Sequence, residues 1–199
     1  MTDLEDKDEF WSQGFKELDL SGQTISAREF DGCTFNNCNF SETTLARCNF
    51  VDCEFSNCNF SIADIQYSKF SEVVFSECKL VGINWTKVSW PSVLLASPLK
   101  FFKCVINDSS FYGLSLPELV LEECRALNVD FREGDFSNAN FTYTDLAGSQ
   151  FGRTNLSGAD FSEASNYDID ILQNKVEGAK FSRFEATRLL EAFGIELAD

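Results

Sequence analysis

From residue 20 to residue 95 a large apolar side chain stands at every fifth position, running from Leu20 and Ile25 through Phe50, Phe55 and Phe60 to Trp90 and Leu95 without a polar exception. Inside "WPSVLLASPLKF" the frame slips by one residue. It then resumes at Phe101 and continues through Phe111, Phe131 and Phe161 to Phe181, broken only by Asn166. Five steps along an α-helix rotate a side chain by about 140°, and on a strand an odd step flips it to the other face, so neither element carries such a stripe. The chain must therefore bend within each pentapeptide. If each bend is near a right angle, four units close one coil of twenty residues. Every fifth side chain then points to a shared axis, and a core grows by stacking.

The residues around each central position agree with this geometry. Two places before it stands a small residue, as in Cys58, Ala63, Ser68, Ala139 and Ala159. One place before it Asn, Asp or Thr recurs, and Ser often follows it. Small residues fit a narrow interior beside large rings, while Asn, Asp and Ser form turns by bonding their own backbone. The run "ANFTYTDLAGSQFGRTNLSGADFSEA" (139–164) resembles the A(D/N)LXX signature of the pentapeptide-repeat family. That resemblance implies an all-β solenoid, a right-handed quadrilateral β-helix of about eight coils with a C-terminal capping α-helix. The expected division is an acidic N-terminal arm and cap over 1–14, the β-helix over 15–181 and a capping helix with a dimerisation tail over 182–199.

All eight cysteines lie two residues before a central apolar residue. At twenty residues per coil, Cys38, Cys58 and Cys78 stack, as do Cys33 with Cys53 and Cys104 with Cys124. Stacked parallel side chains sit about 4.8 Å apart, beyond the usual Cβ separation of a disulfide. Four thiolates converging on one ion are not expected from vertical ladders. The pattern favours free thiols packed as small hydrophobes, with no metal and no cofactor. The chain has no histidine, which removes the commonest general base and the Ser-His and Cys-His nucleophile pairs. No catalytic residue set is visible, and a non-enzymatic role is expected.

Open coil ends need caps. At the N-terminus Phe10, Trp11 and Phe15 are expected to close the first coil, and Arg28, in an inward small-residue place, marks that coil as irregular. At the C-terminus Ser182 and Glu185 fit a capping box for a helix to Phe193, stopped by Gly194. Leu189, Leu190 and Phe193 would cover the last coil, while Ile195 and Leu197 alternate with polar residues and could pair with a second copy. The stretch 83–104 departs most from the repeat, with Trp85, Trp90, Pro91 and Pro98 and no acid. It is either a bulged corner filled by larger side chains or a partner patch around Trp90, Pro91 and Lys100.

With 32 Asp and Glu against 16 Lys and Arg, the formal net charge is -16, which argues against direct nucleic-acid or anionic-membrane binding and for a basic partner. The acidic opening residues show no secretory signal and no run spans a membrane, so a cytoplasmic protein is expected. Following the one-residue slip, twenty-residue steps place Glu29, Asp31, Asp52 and Glu72, then Asp130, Glu133 and Asp170, on one acidic face. Carboxylates at rung spacing approximate the phosphate spacing of duplex DNA.

"NYDIDI" (166–171) followed by "EATRLLEAFGI" (185–195) resembles the ends of the Qnr quinolone-resistance and McbG microcin-immunity branch. That resemblance implies a C-terminal homodimer that binds DNA gyrase or topoisomerase IV as a DNA mimic and shields it from quinolones or a peptide toxin. A one-residue slip leaves no room for the long projecting loops that Qnr proteins use for protection. The alternative is an interaction scaffold for another basic protein with no topoisomerase role.

Overall fold

The computed structural model describes residues 7–94, 97–193 and 195. Its regular elements are strands mostly three residues long, each with a buried axial residue between two outward-facing neighbours, as in Thr34–Asn36 around Phe35. These strands pair in parallel with their equivalents one coil away. Phe10, Phe30, Phe50 and Phe70 form one register column, and Phe15, Phe35, Phe55, Phe75, Phe101 and Leu121 form the next. The second column continues through Phe141 to Phe161 and Phe181, which makes about nine turns rather than eight. We call the face of Phe10 to Phe70 the first and that of Phe15 to Phe181 the second. The third is lined by Leu20, Phe40, Phe60 and Leu80, and the fourth by Ile25, Leu45, Ile65, Trp85, Phe111, Phe131 and Phe151.

Each corner is built locally. The residue two places after the axial one takes a left-handed backbone, for example Asn37 (φ 53°), Asn57 (φ 54°) and Gly158 (φ 72°). Asn, Asp and Gly tolerate that region best. The Asn or Asp before the axial residue locks the bend: Asn39 Oδ1 accepts from the Ser41 amide and Asn59 Oδ1 from the Ser61 amide, both at 3.1 Å.

The small inward residue does more than save space. At the turn-type corners the axial carbonyl lies outside the coil-to-coil amide ladder, and an inward Ser or Thr of the following coil donates to it. Thr43 Oγ1 donates to Leu20 O and Ser68 Oγ to Leu45 O, each at 2.7 Å. Cys58 Sγ points at Phe35 O at 3.4 Å. The same atom accepts from the inward residue below, as Ser68 Oγ does from the Cys48 amide at 2.9 Å. The thiols are thus weak members of a hydrogen-bond bridge that Ser and Thr make better. All eight are free and buried.

The rings fill what remains. Phe35, Phe55 and Phe75 stack with centroids 4.6 and 5.0 Å apart, and Phe55 meets Phe60 edge-on at 5.1 Å. Both arrangements suit the ring quadrupole.

Four expectations change. First, the coils begin earlier than residue 15: Glu9–Trp11 is already a strand and Phe10 an axial residue stacked 5.0 Å from Phe30. Trp11 is 61% exposed and closes nothing. Arg28 instead pairs with the exposed carboxylate of Asp8 at that end.

Second, the slip is an insertion of six residues. Phe75 pairs with Phe101, and the Cys78 amide meets Cys104 Sγ at a sequence separation of 26, whereas regular coils step by 20. Six and one are the same slip in a five-residue frame. The two cysteine ladders on the third face are therefore one column, Cys38, Cys58, Cys78, Cys104 and Cys124, linked amide to sulfur at 3.3–3.4 Å.

Third, past Phe161 the inward residues are Tyr167 and Ile169, not Asn166 and Ile171. Fourth, the C-terminal segment Glu185–Phe193 is a 3-10 helix rather than an α-helix. Its expected capping box does not form. Ser182 Oγ accepts from the Glu163 amide and Glu185 from the Asn166 amide, so both side chains tie the cap to the preceding coil. Gly194 lies outside the described residues.

Phe55→Ala removes a ring stacked on both sides and is expected to lower unfolding stability by about 3–5 kcal/mol, measured by chemical denaturation. A loss below about 1 kcal/mol would contradict an axial ring column.

Candidate functional site

No three His, Cys, Asp or Glu side chains among the described residues converge as metal ligands. No helix among the described residues is long and apolar enough to cross a membrane. Burial raises the Cys48 thiol above its ordinary value and pushes that of Cys53 up to about 12, so both are protonated and poor nucleophiles at neutral pH. What remains for chemistry is the outer surface, where each coil exposes the residues flanking the axial one and the corner residues.

The first face gathers four of the acids expected there. Glu9 pairs in register with Glu29, and Trp11 with Asp31. Asp52 and Glu72 stand at successive corners of the same face, with φ of 49° and 55°. Lys69 lies among them in the strand Lys69–Ser71. Parallel register places equivalent carboxylates about 4.8 Å apart along the rod.

The other three predicted acids lie elsewhere. Because the insertion is six residues, Asp130 bridges Ser110, which bridges Asn84, and all three belong to the fourth face with Phe131 and Trp85. There the carboxylates are paired. Asp130 takes a two-pronged contact from Arg132 at 2.9 and 2.8 Å, and that contact holds its carboxyl below the usual range. Glu133 is held down in the same way by Arg153, whose Nε lies 2.6 Å away. Arg132 in turn lies 5.8 Å over the Tyr112 ring. Asp170 lines a cavity of about 530 Å³ at the C-terminal junction, beside Asp168, Gln173 and Arg188.

At the interruption, the Trp90 ring is half-buried and its Nε1 donates to Trp85 O at 3.0 Å, so it fills the core edge. Pro91 and Lys100 are exposed, and Val93 projects outward. Lys100 lines a cleft of about 530 Å³ that also takes in Asp52, Glu72, Leu94, Pro98 and Glu118. Glu118 is an acid the sequence reading missed. A twenty-six-residue step followed by a twenty-residue step from Glu72 reaches it, whereas a one-residue slip places it on a neighbouring corner.

At the C-terminal end Leu189 packs on the core, while Leu190 and Ile195 are exposed. Phe184, in no expected set, is 89% exposed. Leu197 lies outside the described residues, as does the side chain of Phe193.

A protein-family model described as "Pentapeptide repeat region" matches residues 28–97 and 83–161. No curated protein matches the chain. Among solved structures, a trypsin-treated form of QnrB1, described as a plasmid-mediated fluoroquinolone resistance protein, superposes with a TM-score of 0.71 at 17% identity, over 96% of this chain and 100% of its own. A second trypsin-treated QnrB1 structure gives 0.65 at 22% identity, over 96% of this chain and 92% of its own. At these identities the likeness is one of fold.

The thiol assignment has a measurable consequence. Below pH 9 Cys53 is protonated whether folded or not; above it the unfolded thiol ionises first, because the folded value is raised from 9.0 to about 12. Stability is therefore expected to fall as pH climbs from about 9 toward 12. Cys48, Cys58, Cys78 and Cys104 are raised as well, so replacing Cys53 with Ala should lessen that slope by one thiol's share, and native protein at pH 8 should react with a thiol reagent only after denaturant is added.

Proposed function

Because the chain belongs to the pentapeptide-repeat family, we propose that it is a non-enzymatic binding protein that engages a type II topoisomerase, DNA gyrase or topoisomerase IV, as a protein imitation of DNA. The observation that carries this reading is the first face, where Glu9, Glu29, Asp31, Asp52 and Glu72 lie on four successive coils, with Lys69 among them. A basic saddle built for phosphates about 3.4 Å apart on each strand would meet a similar run of negative charge. Asp130 and Glu133 are not part of that surface, since arginines neutralise them on another face. The shared fold with QnrB1, described as a fluoroquinolone resistance protein, supports the choice of target.

Protection of the enzyme from a quinolone or a peptide toxin belongs to the same proposal. The six-residue insertion, with Pro91 and Val93 exposed, supplies a projecting element that a one-residue slip does not. Exposed Phe184, Leu190 and Ile195 at the C-terminal end support pairing of two copies there. A cytoplasmic location follows from the same reading, since gyrase and topoisomerase IV work there.

The second reading, a scaffold for another basic protein, rests on the same acids and separates cleanly in a supercoiling and decatenation assay. At micromolar protein, inhibition of gyrase or topoisomerase IV, or relief of quinolone poisoning, is expected. Glu29→Lys with Glu72→Lys should weaken it by about tenfold or more, in keeping with reversed charge at a desolvated contact. No effect on either enzyme, with or without quinolone, would leave only the scaffold reading.

A further inference from the structure

Among the described non-glycine residues held at positive φ, Ile62 is the only β-branched one, at φ 61°, and Tyr67 follows at the next corner with φ 59°. A branched side chain is the least suited to that backbone, and Gly, Asn, Asp or Glu serves most other corners. Neither side chain repays the strain inside the fold, since Ile62 is 67% and Tyr67 63% exposed. They bracket Ile65, so they are the two edges of the fourth face at one level. Such outliers call for a contact outside the chain.

The electrostatics of that face narrow what the contact can be. Between the corners that bound it, from Gly22 to Arg153, the fourth face carries Arg47, Lys87, Arg132 and Arg153 against Glu42, Asp64, Asp108, Asp130 and Glu133. Four cations against five carboxylates leave one net negative charge, in a chain whose total is -16.

We infer that the fourth face is a self-complementary dimer surface, on which a second copy packs side by side about a two-fold axis parallel to the rod. That axis sets the residue three places before each axial position against the residue two places after it on the other copy. At the level of Ile65, Ile62 meets the partner subunit's Tyr67, and Tyr67 meets the partner subunit's Ile62. One level below, Glu42 meets the partner subunit's Arg47. Near Phe131, Asp130 faces the partner subunit's Arg132, so the pair within each chain can be exchanged between chains. Gly82 and Gly113 leave room opposite the longer Lys87 and Asp108. Along the whole face no like charges are opposed. The same operation on the first face sets Glu29 against Asp31, and on the second face Glu72 against Glu77 and Glu118 against Glu123. The pairing is separate from the end-on contact at Phe184 and does not depend on the topoisomerase reading.

Sedimentation velocity over a micromolar to submillimolar series tests it. The 22.4 kDa chain is expected to shift from monomer toward dimer as concentration rises. Arg47→Glu should weaken that step by about tenfold or more, and the charge swap Glu42→Arg with Arg47→Glu should restore it to within about threefold, the signature of a direct pair. Ile62→Gly should weaken association while its unfolding midpoint does not fall. A chain that stays monomeric throughout overturns the inference. So does a dimer that Arg47→Glu leaves intact, one that the swap fails to rescue, or one that only Phe184→Ser abolishes.

Discussion

Everything in this rod depends on one constraint, that each axial ring must lie over the ring one coil away while its backbone pairs in register. Phe35 over Phe15 at 4.8 Å and Phe55 over Phe35 at 4.6 Å are the backbone spacing itself, expressed through side chains. Rings at that distance leave no slack for coils of unequal path. Corners must therefore be tight, and tight corners require a left-handed residue. The carbonyl that such a bend takes out of the ladder must then find a donor indoors. The inward place is small because the rings crowd it, and where a turn frees the axial carbonyl a Ser or Thr there bonds to it. Cysteine and alanine meet the first demand alone, so Cys, Ala, Ser and Thr all occur there.

This hierarchy explains what was legible in the chain. Sixteen apolar places in a row at period five leave one architecture, and the axial, inward and turn positions follow from it residue by residue. The C-terminus was less legible because the constraint relaxes there. Tyr167 enters the core where the frame points to Asn166, since the last coils need not match a coil above. Glu185 fits a capping box in sequence, yet its carboxylate finds the Asn166 amide of the preceding coil at 3.1 Å. A terminal turn with free partners nearby satisfies its end groups by whichever contact lies closest, and local sequence does not rank them.

Surface chemistry is legible only through the core. Residues flanking the axial position can be Glu, Asn, Thr or Lys without cost to the stack, so the fold records nothing about them. Their meaning comes from which neighbours the coils bring beside them. Glu29 and Asp31 are recognisable as an acidic cluster because no interruption separates them. Asp130 is chemically the same residue type, but with Arg132 folded onto it at 2.8 Å it presents little free charge.

The interruption shows how a correct period can still misplace a surface. An insertion of six shifts a five-residue pattern by one, as does an insertion of one, and the axial residues obey both equally well. The two differ by one whole pentapeptide, which is one face of the rod. Every residue after Lys100 therefore moves round a corner relative to the simpler reading, while the core assignments from Phe101 to Phe161 stay where they were. The rings are blind to this because the four faces are interchangeable from inside. The cysteines are not: Cys78 and Cys104 meet amide to sulfur at 3.4 Å only if the step is 26. A column of small residues running unbroken across the gap was the one mark in the sequence able to count the insertion. Extending that column, rather than the ring frame, separates the free acids of the first face from the paired ones of the fourth.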